Sequence, residues 1–562
     1  MYANKRNVLE LLALMLKFGI RHIVVCPGSR NAPLSQSFAT DGRFTCYSIT
    51  DERSAAFFAL GLTQALKEPV AVCCTSGSAL LNVLPAVSEA YYQQLPLLVI
   101  SADRPAEWIG QMDGQPIPQA NMGDAIFKKS VHLPEIKDDA ELWHCNRLVN
   151  EALLALTHRT NGPAHINIPL SEPLFDFSAT ELPDARKIER YENADSKFSL
   201  PQQLIRQWDR AKRPLIIIGQ QPLEKDIHLI INKLSAKNKC LIFAEQIGNI
   251  QCAENIISNF DAILYAFSDK EELKPDLVVY LGGHIVSKRL KSFIRNNRPE
   301  NVWRIALDGE ATDTFKCLTT VVEALPLPVL QALQRTEKIF PECYTDNWKT
   351  LSDKIKKRLA SYPFSAFSDI YVMKKTMEQL PACALQLGNS SIVRNAQLFP
   401  LRNAKEVFCN RGTSGIEGSM STAVGFSAGY SGLTYLIIGD LSFFYDMNAL
   451  WNEYVSGKLR ILVINNGNGQ IFNTLPGLAK SEIRGKFIAA THHASVRAWV
   501  EDRGFIYLSA NDQQELEDAL SLFCNPQENK PLVLEVFTDA KVSEDDLKRY
   551  ITSPSPSQGG EL

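Results

Sequence analysis

At 562 residues the chain is too long for a single hydrophobic core, and its length predicts three or four domains. Hydrophobic residues make up 45% and charged residues 22%, a balance that suits ordinary globular cores. A formal net charge of −3, with no Lys/Arg-rich run, gives no electrostatic basis for a nucleic-acid partner.

Lys5-Arg6 followed by an apolar stretch imitates the start of a secretion signal, but Glu10 and Lys17 interrupt it. Val8, Leu11, Leu12, Met15 and Leu16 recur at helical spacing up to Gly19, so an amphipathic helix with a glycine stop is expected. No other apolar run reaches bilayer-spanning length, which predicts no integral membrane association. The twelve cysteines include no Cys-x-x-Cys pair, and Cys73-Cys74 sit in an apolar run. Reduced, buried thiols in a cytoplasmic protein are expected, not a disulfide framework or a zinc site.

From His22 onward, strand-like and helix-like runs alternate. HIVVC, FTCYSI, PVAVCC, LPLLVISADRP and GPAHINIPL are the strand candidates of a parallel α/β domain over residues 1–180. The charged stretch 181–197 reads as a linker. A second α/β domain, 198–333, has strand candidates PLIIIG, CLIFAE, DLVVYLGG and NVWRIALDG. Residues 334–367 read as a charged helical connector, and 368–545 as a third α/β domain. The fold class is therefore α/β, with three parallel-sheet domains. The tail SPSPSQGGEL has nothing to pack with and is expected to be disordered.

The first and third domains echo one another. FTCYSITDERSAAFFALG, VAVCCTSGSALLNVLP and LLVISADRP correspond in order to VFCNRGTSGIEGSMSTAVG, YLIIGDLSFFYDMNAL and ILVINNGNG. Both series read strand, polar loop, small-residue helix, strand, Asn-containing helix, strand. Two similar folds in one chain predict paired domains that share a site.

The third domain contains the most informative stretch, 433–472. Leu433 to Ile438 reads as a buried strand ending at Gly439-Asp440, Met447 to Lys458 has helical spacing, and Arg460 to Ile464 reads as a second strand. That strand closes on Asn465-Asn466-Gly467-Asn468-Gly469. A strand–helix–strand crossover makes the two strands parallel, so Asp440 and Asn466 should emerge together at the carboxyl edge, where open α/β sheets bind ligands. A carboxylate and an amide carbonyl are hard oxygen donors that suit Mg²⁺ bridging to phosphate oxygens. A metal-bridged diphosphate is the expected occupant.

Gly439-Asp440 followed by Asn465-Asn466 resembles the fingerprint of the thiamine diphosphate-dependent enzymes. Within that superfamily the chain resembles the carboligases of menaquinone biosynthesis. The segments that carry the resemblance are CPGSRNAPL (26–34), DERSAAFFALG (51–61), SADRP (101–105), QPIPQAN (115–121), SKRL (287–290), GNSSIVR (388–394), NRGTSGIEG (410–418) and the GDLS-to-GQIF unit.

The resemblance implies thiamine diphosphate and Mg²⁺ (or Mn²⁺) as cofactors, with the metal held by Asp440, Asn466 and Asn468. It implies that Glu52 is catalytic, sharing a proton with the aminopyrimidine ring; without the resemblance, an acid there reads as a helix N-terminal residue favoured by the macrodipole. Ile416 would support the folded shape of the cofactor, and Ile471 and Phe472 would contact it. The implied reaction is decarboxylation of 2-oxoglutarate and addition of the succinyl carbanion to isochorismate. Both substrates are dicarboxylates, which suits guanidinium partners. Arg30, Arg104, Lys288, Arg289, Arg394 and Arg411 are the implied cations, with Ser29, Gln119, Ser390 and Gln470 as neutral partners and Phe472 and Leu475 as apolar wall. The resemblance also implies a homodimer, or a dimer of dimers, with active sites between subunits.

Adjacent His492-His493 cannot share a helix face and read as structural or surface residues. Two alternatives stand beside this reading. One is a flavin-containing relative such as an acetolactate synthase or pyruvate oxidase, although the middle domain has no G-x-G-x-x-G after a strand. The other is a non-catalytic nucleotide-binding α/β protein.

Overall fold

The computed structural model describes residues 1–191, 198–250, 255–474, 476–478 and 481–553. The expected disordered tail lies outside these residues except for Ser553. Three six-stranded sheets carry the architecture, and every strand pair in them is parallel. The first contains β1 (His22–Val25), β2 (Thr45–Ser48), β3 (Val70–Cys74), β4 (Leu97–Asp103), β5 (Lys129–His132) and β6 (Ala164–Pro169), in the order β2-β1-β3-β4-β6-β5. The second contains β7 (Pro214–Ile218), β8 (Leu241–Ala244), β9 (Ile256–Ile257), β10 (Leu277–Leu281), β11 (Asn301–Ile305) and β12 (Thr320–Val322), in the order β9-β8-β7-β10-β11-β12. The third contains β13 (Cys383–Leu387), β14 (Ala404–Cys409), β15 (Thr434–Gly439), β16 (Leu459–Asn465), β17 (Ile506–Ala510) and β18 (Leu532–Phe537), in the order β14-β13-β15-β16-β18-β17.

Central strands such as β3, β4 and β16 are buried along their whole length, which is why each reads as a continuous apolar run. β5, β9 and β12 have no such signal. They are short edge strands, and β5 (Lys-Ser-Val-His) has one buried residue.

The first and third sheets share one strand order, so the echo in the sequence is an echo in topology. The two halves meet through equivalent helices, Glu52–Leu66 and Ser419–Gly429. A Cβ placed on Gly61 would lie 2.0 Å from the Thr422 carbonyl oxygen, and one on Gly425 would lie 2.0 Å from the Phe58 carbonyl oxygen. Each glycine thus admits the other helix's backbone, in a reciprocal arrangement. Phe57 and Phe58 share a core with Met420 and Val424. Polar bonds reinforce the contact from both sides. Glu89 accepts from the amides of Gly412 and Thr413 (2.7 Å each), while Asn448 Nδ2 donates to Asp51 Oδ2 (2.8 Å). The Arg53 guanidinium lies over the Tyr445 ring, 4.6 Å from its centre.

The second sheet has the strand order of dinucleotide-binding folds, but its crossover point is filled by the chain itself. A Cβ on Gly219 would lie 2.2 Å from the Gly283 carbonyl oxygen. Gln220 N donates to the His284 carbonyl (2.9 Å), and Gly283 N donates to the Gln220 carbonyl (2.7 Å). The connector to the third domain, 334–367, is helical over Glu342–Ala360.

The helix expected over 447–458 does not form. A short helix occupies Asp440–Tyr445, and a 3₁₀ turn follows at Met447–Leu450. The Asn452 side chain competes with the helical backbone: Nδ2 donates to the Ala449 carbonyl (2.7 Å) and Oδ1 accepts from Tyr454 N (2.8 Å).

If the glycine crossing holds the two halves together, Gly61→Ala and Gly425→Ala should each cost about 1–3 kcal/mol through overpacking against backbone that cannot swing aside. Gly42→Ala is the control, since nothing lies within 4 Å of a Cβ there. Calorimetric melting should place both crossing variants below the control; melting equal to the control would contradict the close approach.

Candidate active site

β15 and β16 pair in register with Gly439 opposite Ile464, so Asp440 and Asn466 leave the same sheet edge. Asp440 is the first residue of its short helix and is buried. Its Oδ1 accepts from Leu441 N (2.7 Å) and its Oδ2 from Gly467 N (2.8 Å). Burial pushes the carboxyl up to about 6, against the pull of those amides and of His492. A carboxylate that is costly to keep charged without a partner is suited to a cation. Asn466 Nδ2 donates to Asp369 Oδ2 (2.9 Å), and its Oδ1 accepts from Asn468 N (3.2 Å). The Asn468 backbone carbonyl accepts from Gln470 N (3.0 Å), whereas its Oδ1 is buried with no hydrogen-bond partner among the described residues. No cluster of three or more His, Cys, Asp or Glu groups suited to a metal occurs among the described residues. The donors gathered in this loop are therefore hard oxygens of one Asp and two Asn residues, a set that fits Mg²⁺ or Mn²⁺ with phosphate oxygens.

His492 is half-buried beside this loop. It lies on no helix, so the helix-face reasoning does not apply to it. Its amide donates to the Gly467 carbonyl (2.8 Å), and its Nε2 lies 3.3 Å from Asp440 Oδ2 without hydrogen-bonding alignment. It is a neighbour of the oxygen-donor loop that the sequence reading missed.

Glu52 begins the helix Glu52–Leu66, capped by Asp51, whose Oδ1 accepts from Arg53 N (2.9 Å) and Ser54 N (3.1 Å). Asn82 Nδ2 reaches Glu52 Oε2 at 3.4 Å. Its charge adds to burial in raising the nearby Cys26 and Cys74 thiols. Aligning the helix pair on Gly61 and Gly425 makes Ile416 the counterpart of Glu52. Ile416 is 37% exposed, so it is not a core residue. The hydrogen-bond partner of Glu52 is in the first domain and those of Asp440 are in the third.

The cations fall into two groups. Arg30 is buried; its Nη1 donates to the Leu170 carbonyl (2.9 Å), and its pKa is lowered by burial and then by Arg104. Arg104 Nε donates to the Gly114 carbonyl (2.9 Å) and Nη1 pairs with Asp113 (2.6 Å). Ser29 is exposed beside them. Gln119 is fully buried and both ends of its amide are engaged: Oε1 accepts from Gly77 N (2.7 Å), and Nε2 donates to the Ala102 carbonyl (3.1 Å) and Asn167 Oδ1 (2.8 Å). It holds the loop before the helix Ser78–Gln93.

The second group lies where the middle and third domains meet. Arg394 Nη1 donates to the carbonyl of Ser390, a residue at φ +67°. Arg411 Nη1 donates to Asn389 Oδ1 (2.9 Å), and its buried Nε has no hydrogen-bond partner among the described residues. Burial lowers the pKa of Arg394, and Arg411 lowers it further. Arg289 is committed to Asp261 and stacks over the Tyr265 ring, while Lys288 is exposed. Lys291, one turn further along the helix Lys288–Asn297, is instead the lysine whose charge is felt with those of Arg394 and Arg411. His284 belongs with them, its pKa lowered by burial and then by Arg411 and Lys291. The spacing from Lys288 to Lys291 was the available sequence signal.

Gln470 is buried and its Nε2 donates to the Ala540 carbonyl (2.9 Å). Ile471 and Phe472 follow it in the 3₁₀ turn Gln470–Thr474. Leu475 lies outside the described residues. A cavity of about 310 Å³, lined by residues that include Asn468, Asn473, Arg484, Thr491 and Lys541, opens beside this turn.

Known proteins resemble this chain along nearly its whole length. The family model of the N-terminal TPP-binding domain of thiamine pyrophosphate enzymes matches residues 6–125, and the model described as the middle domain of thiamine pyrophosphate matches 182–385. A 2-succinyl-5-enolpyruvyl-6-hydroxy-3-cyclohexene-1-carboxylate synthase of Phocaeicola vulgatus is 46% identical over 557 residues, covering 98% of each chain. The synthase of the same name from Bacteroides fragilis is 46% identical, covering 98% of this chain and 99% of its own. That of Flavobacterium psychrophilum is 39% identical, covering 95% and 96%. With that identity along nearly its whole length, and with the paired α/β halves described above, the chain belongs to the 2-succinyl-5-enolpyruvyl-6-hydroxy-3-cyclohexene-1-carboxylate synthase family of thiamine pyrophosphate enzymes.

Proposed function

We propose that this chain decarboxylates 2-oxoglutarate and joins the resulting succinyl unit to isochorismate, releasing CO₂ and forming 2-succinyl-5-enolpyruvyl-6-hydroxy-3-cyclohexene-1-carboxylate for menaquinone biosynthesis. The observation that carries the proposal is the buried Asp440 carboxylate beside the Asn466 and Asn468 oxygens at a parallel-sheet edge. Those residues would hold Mg²⁺ or Mn²⁺ against the diphosphate of thiamine diphosphate. When bound, this cofactor supplies a carbon centre that accepts the electron pair left by departing CO₂.

The chain's own residues supply proton control and charge. Glu52 would hold a proton at the aminopyrimidine nitrogen, and the exposed Ile416 would prop the cofactor rings from the equivalent place in the other half. Arg394 and Arg411, with Ser390 and Lys291, would take the distal carboxylate of 2-oxoglutarate. Arg30 and Arg104, with Ser29, would face a second carboxylate. Ile471 and Phe472 would close the apolar side, with Gln470 and Gln119 bracing their loops. Glu52 and Asp440 make their contacts in different domains, and by likeness to the thiamine pyrophosphate enzymes we place each complete site between two subunits of a homodimer acting in the cytoplasm.

Incubation with 2-oxoglutarate, isochorismate, thiamine diphosphate and Mg²⁺ should give the succinyl adduct and CO₂ by mass spectrometry. Pyruvate should be a poor donor, because it leaves a buried cation unpaired. Arg394→Ala should cost about 2–5 kcal/mol in kcat/KM for 2-oxoglutarate, at least about thirtyfold, and much less for pyruvate. Equal use of both donors by the parent enzyme would favour the acetolactate-synthase-like alternative.

Glu52→Gln should still bind cofactor and substrates, since the amide keeps the shape of the carboxyl group. Exchange of the C2 proton of bound thiamine diphosphate should slow by about 10²–10⁴-fold. Quenched-flow NMR reads that exchange directly, and parental rates in the variant would remove Glu52 from the role.

A further inference from the structure

Asp369 lies in none of the segments that resemble the family fingerprint, yet it is the side chain that grips Asn466. It begins the helix Asp369–Gln379, is buried, and has no cationic partner among the described residues. Its Oδ2 accepts from Asn466 Nδ2 (2.9 Å), and its Oδ1 accepts from Thr538 Oγ1 (2.6 Å) and Ser543 Oγ (3.0 Å). Its own amide donates to Ser543 Oγ (3.0 Å). With three hydrogen bonds on two oxygens, Asp369 is occupied as an acceptor and is not placed as a ligand.

The chemistry of the contact fixes one thing about Asn466. An amide presents oxygen on one side and N–H on the other, while an ionised carboxylate can only accept. Against Asp369, Asn466 must therefore turn its NH₂ inward, which leaves Oδ1 on the side of Gly467 and Asn468, next to Asp440. The flipped amide would set oxygen against carboxylate oxygen and offer N–H groups to an arriving cation. A buried carboxylate is an expensive way to satisfy two hydroxyls and one amide, since neutral groups could do so with less desolvation. Burial raises the carboxyl's pKa while the Thr538, Ser543 and Asn466 donors lower it, so a carboxyl group here is explained if the position must accept only and if a cation nearby keeps it ionised.

Resting on the metal-site reading above, we infer that Asp369 is a positioning residue that locks the Asn466 amide with its oxygen toward the divalent metal and so sets metal affinity. Partners of this kind typically contribute 10–100-fold to metal affinity.

The test measures Mn²⁺ affinity by electron paramagnetic resonance in the presence of saturating thiamine diphosphate, with folding checked by circular dichroism. Asp369→Asn can still donate or accept, so it loses the selection of one amide orientation; Mn²⁺ should bind about 10–100-fold more weakly. Asn466→Asp sets two carboxylates face to face and should also weaken binding. The double variant Asp369→Asn/Asn466→Asp restores one donor opposite one acceptor, leaves a carboxylate oxygen toward the metal, and should regain at least about tenfold over either single change. A purely structural role for Asp369 would give additive losses instead. Parental Mn²⁺ affinity in folded Asp369→Asn, or no regain in the double variant, would overturn the inference while leaving the metal site standing. Failure of the parent protein to bind Mn²⁺ with thiamine diphosphate would overturn the metal-site reading and this inference together.

Discussion

The close crossing at Gly61 and Gly425 constrains everything else in the molecule. Two helices can approach until backbone meets backbone only where no Cβ intervenes, and here each helix supplies one glycine for the other's carbonyl. That reciprocity gives the first and third domains a near two-fold relation within one chain. Under it, Glu52, the first residue of its helix, corresponds to Ile416, in the loop just before the equivalent helix. One position carries a carboxyl group suited to proton control, the other an aliphatic side chain suited to packing beneath a ring. The two halves have the same strand order but different chemistry, and the difference is concentrated at their helix-start loops and strand ends.

A second constraint is electrostatic. Asp440, Asp369, Arg30 and Arg411 are all buried, and Arg394 and Lys291 are largely so. Burying a charge costs several kcal/mol unless partners offset it. The two carboxylates lie on either side of Asn466 with no cationic side chain bonded to them among the described residues, whereas Arg394, Arg411 and Lys291 outnumber the one buried carboxylate described beside them, Glu245. A divalent cation fits the first locus and dicarboxylate substrates fit the second. Lys291 and His284 enlarge the positive locus beyond what Arg394 and Arg411 supply, and their lowered pKa values follow from burial and from that crowding.

Much of this was legible in the sequence because the signals were local. The buried parallel strands appear as apolar runs, and the echo appears as two series of segments in one order, each with the contact glycine within its small-residue helix. Asp440 and Asn466 were legible because one crossover brings both strand ends to one edge. What stayed hidden depended on tertiary partners. Asp369 is about a hundred residues from Asn466 in the chain, and only the fold joins them (Asp369 Oδ2 to Asn466 Nδ2, 2.9 Å). The contacts of Gln119 with Gly77 and Asn167, and of Arg289 with Asp261, likewise join residues far apart in the chain. The predicted helix over 447–458 failed because Asn452 bonds the backbone on both sides of itself, which apolar spacing does not reveal.

If each half-site comes from a different chain, mixing two inactive variants should restore activity. Glu52→Gln subunits and Asp440→Ala subunits are combined under conditions of demonstrated exchange, and product formation is measured against the parent enzyme. In a mixed dimer one site carries both lesions and the other carries neither. Random mixing makes about half of the dimers mixed, each with one intact site, so activity should recover to about a quarter of the parental value. No recovery, with exchange verified, would place Glu52 and Asp440 in sites formed within a single chain and contradict the shared-site architecture.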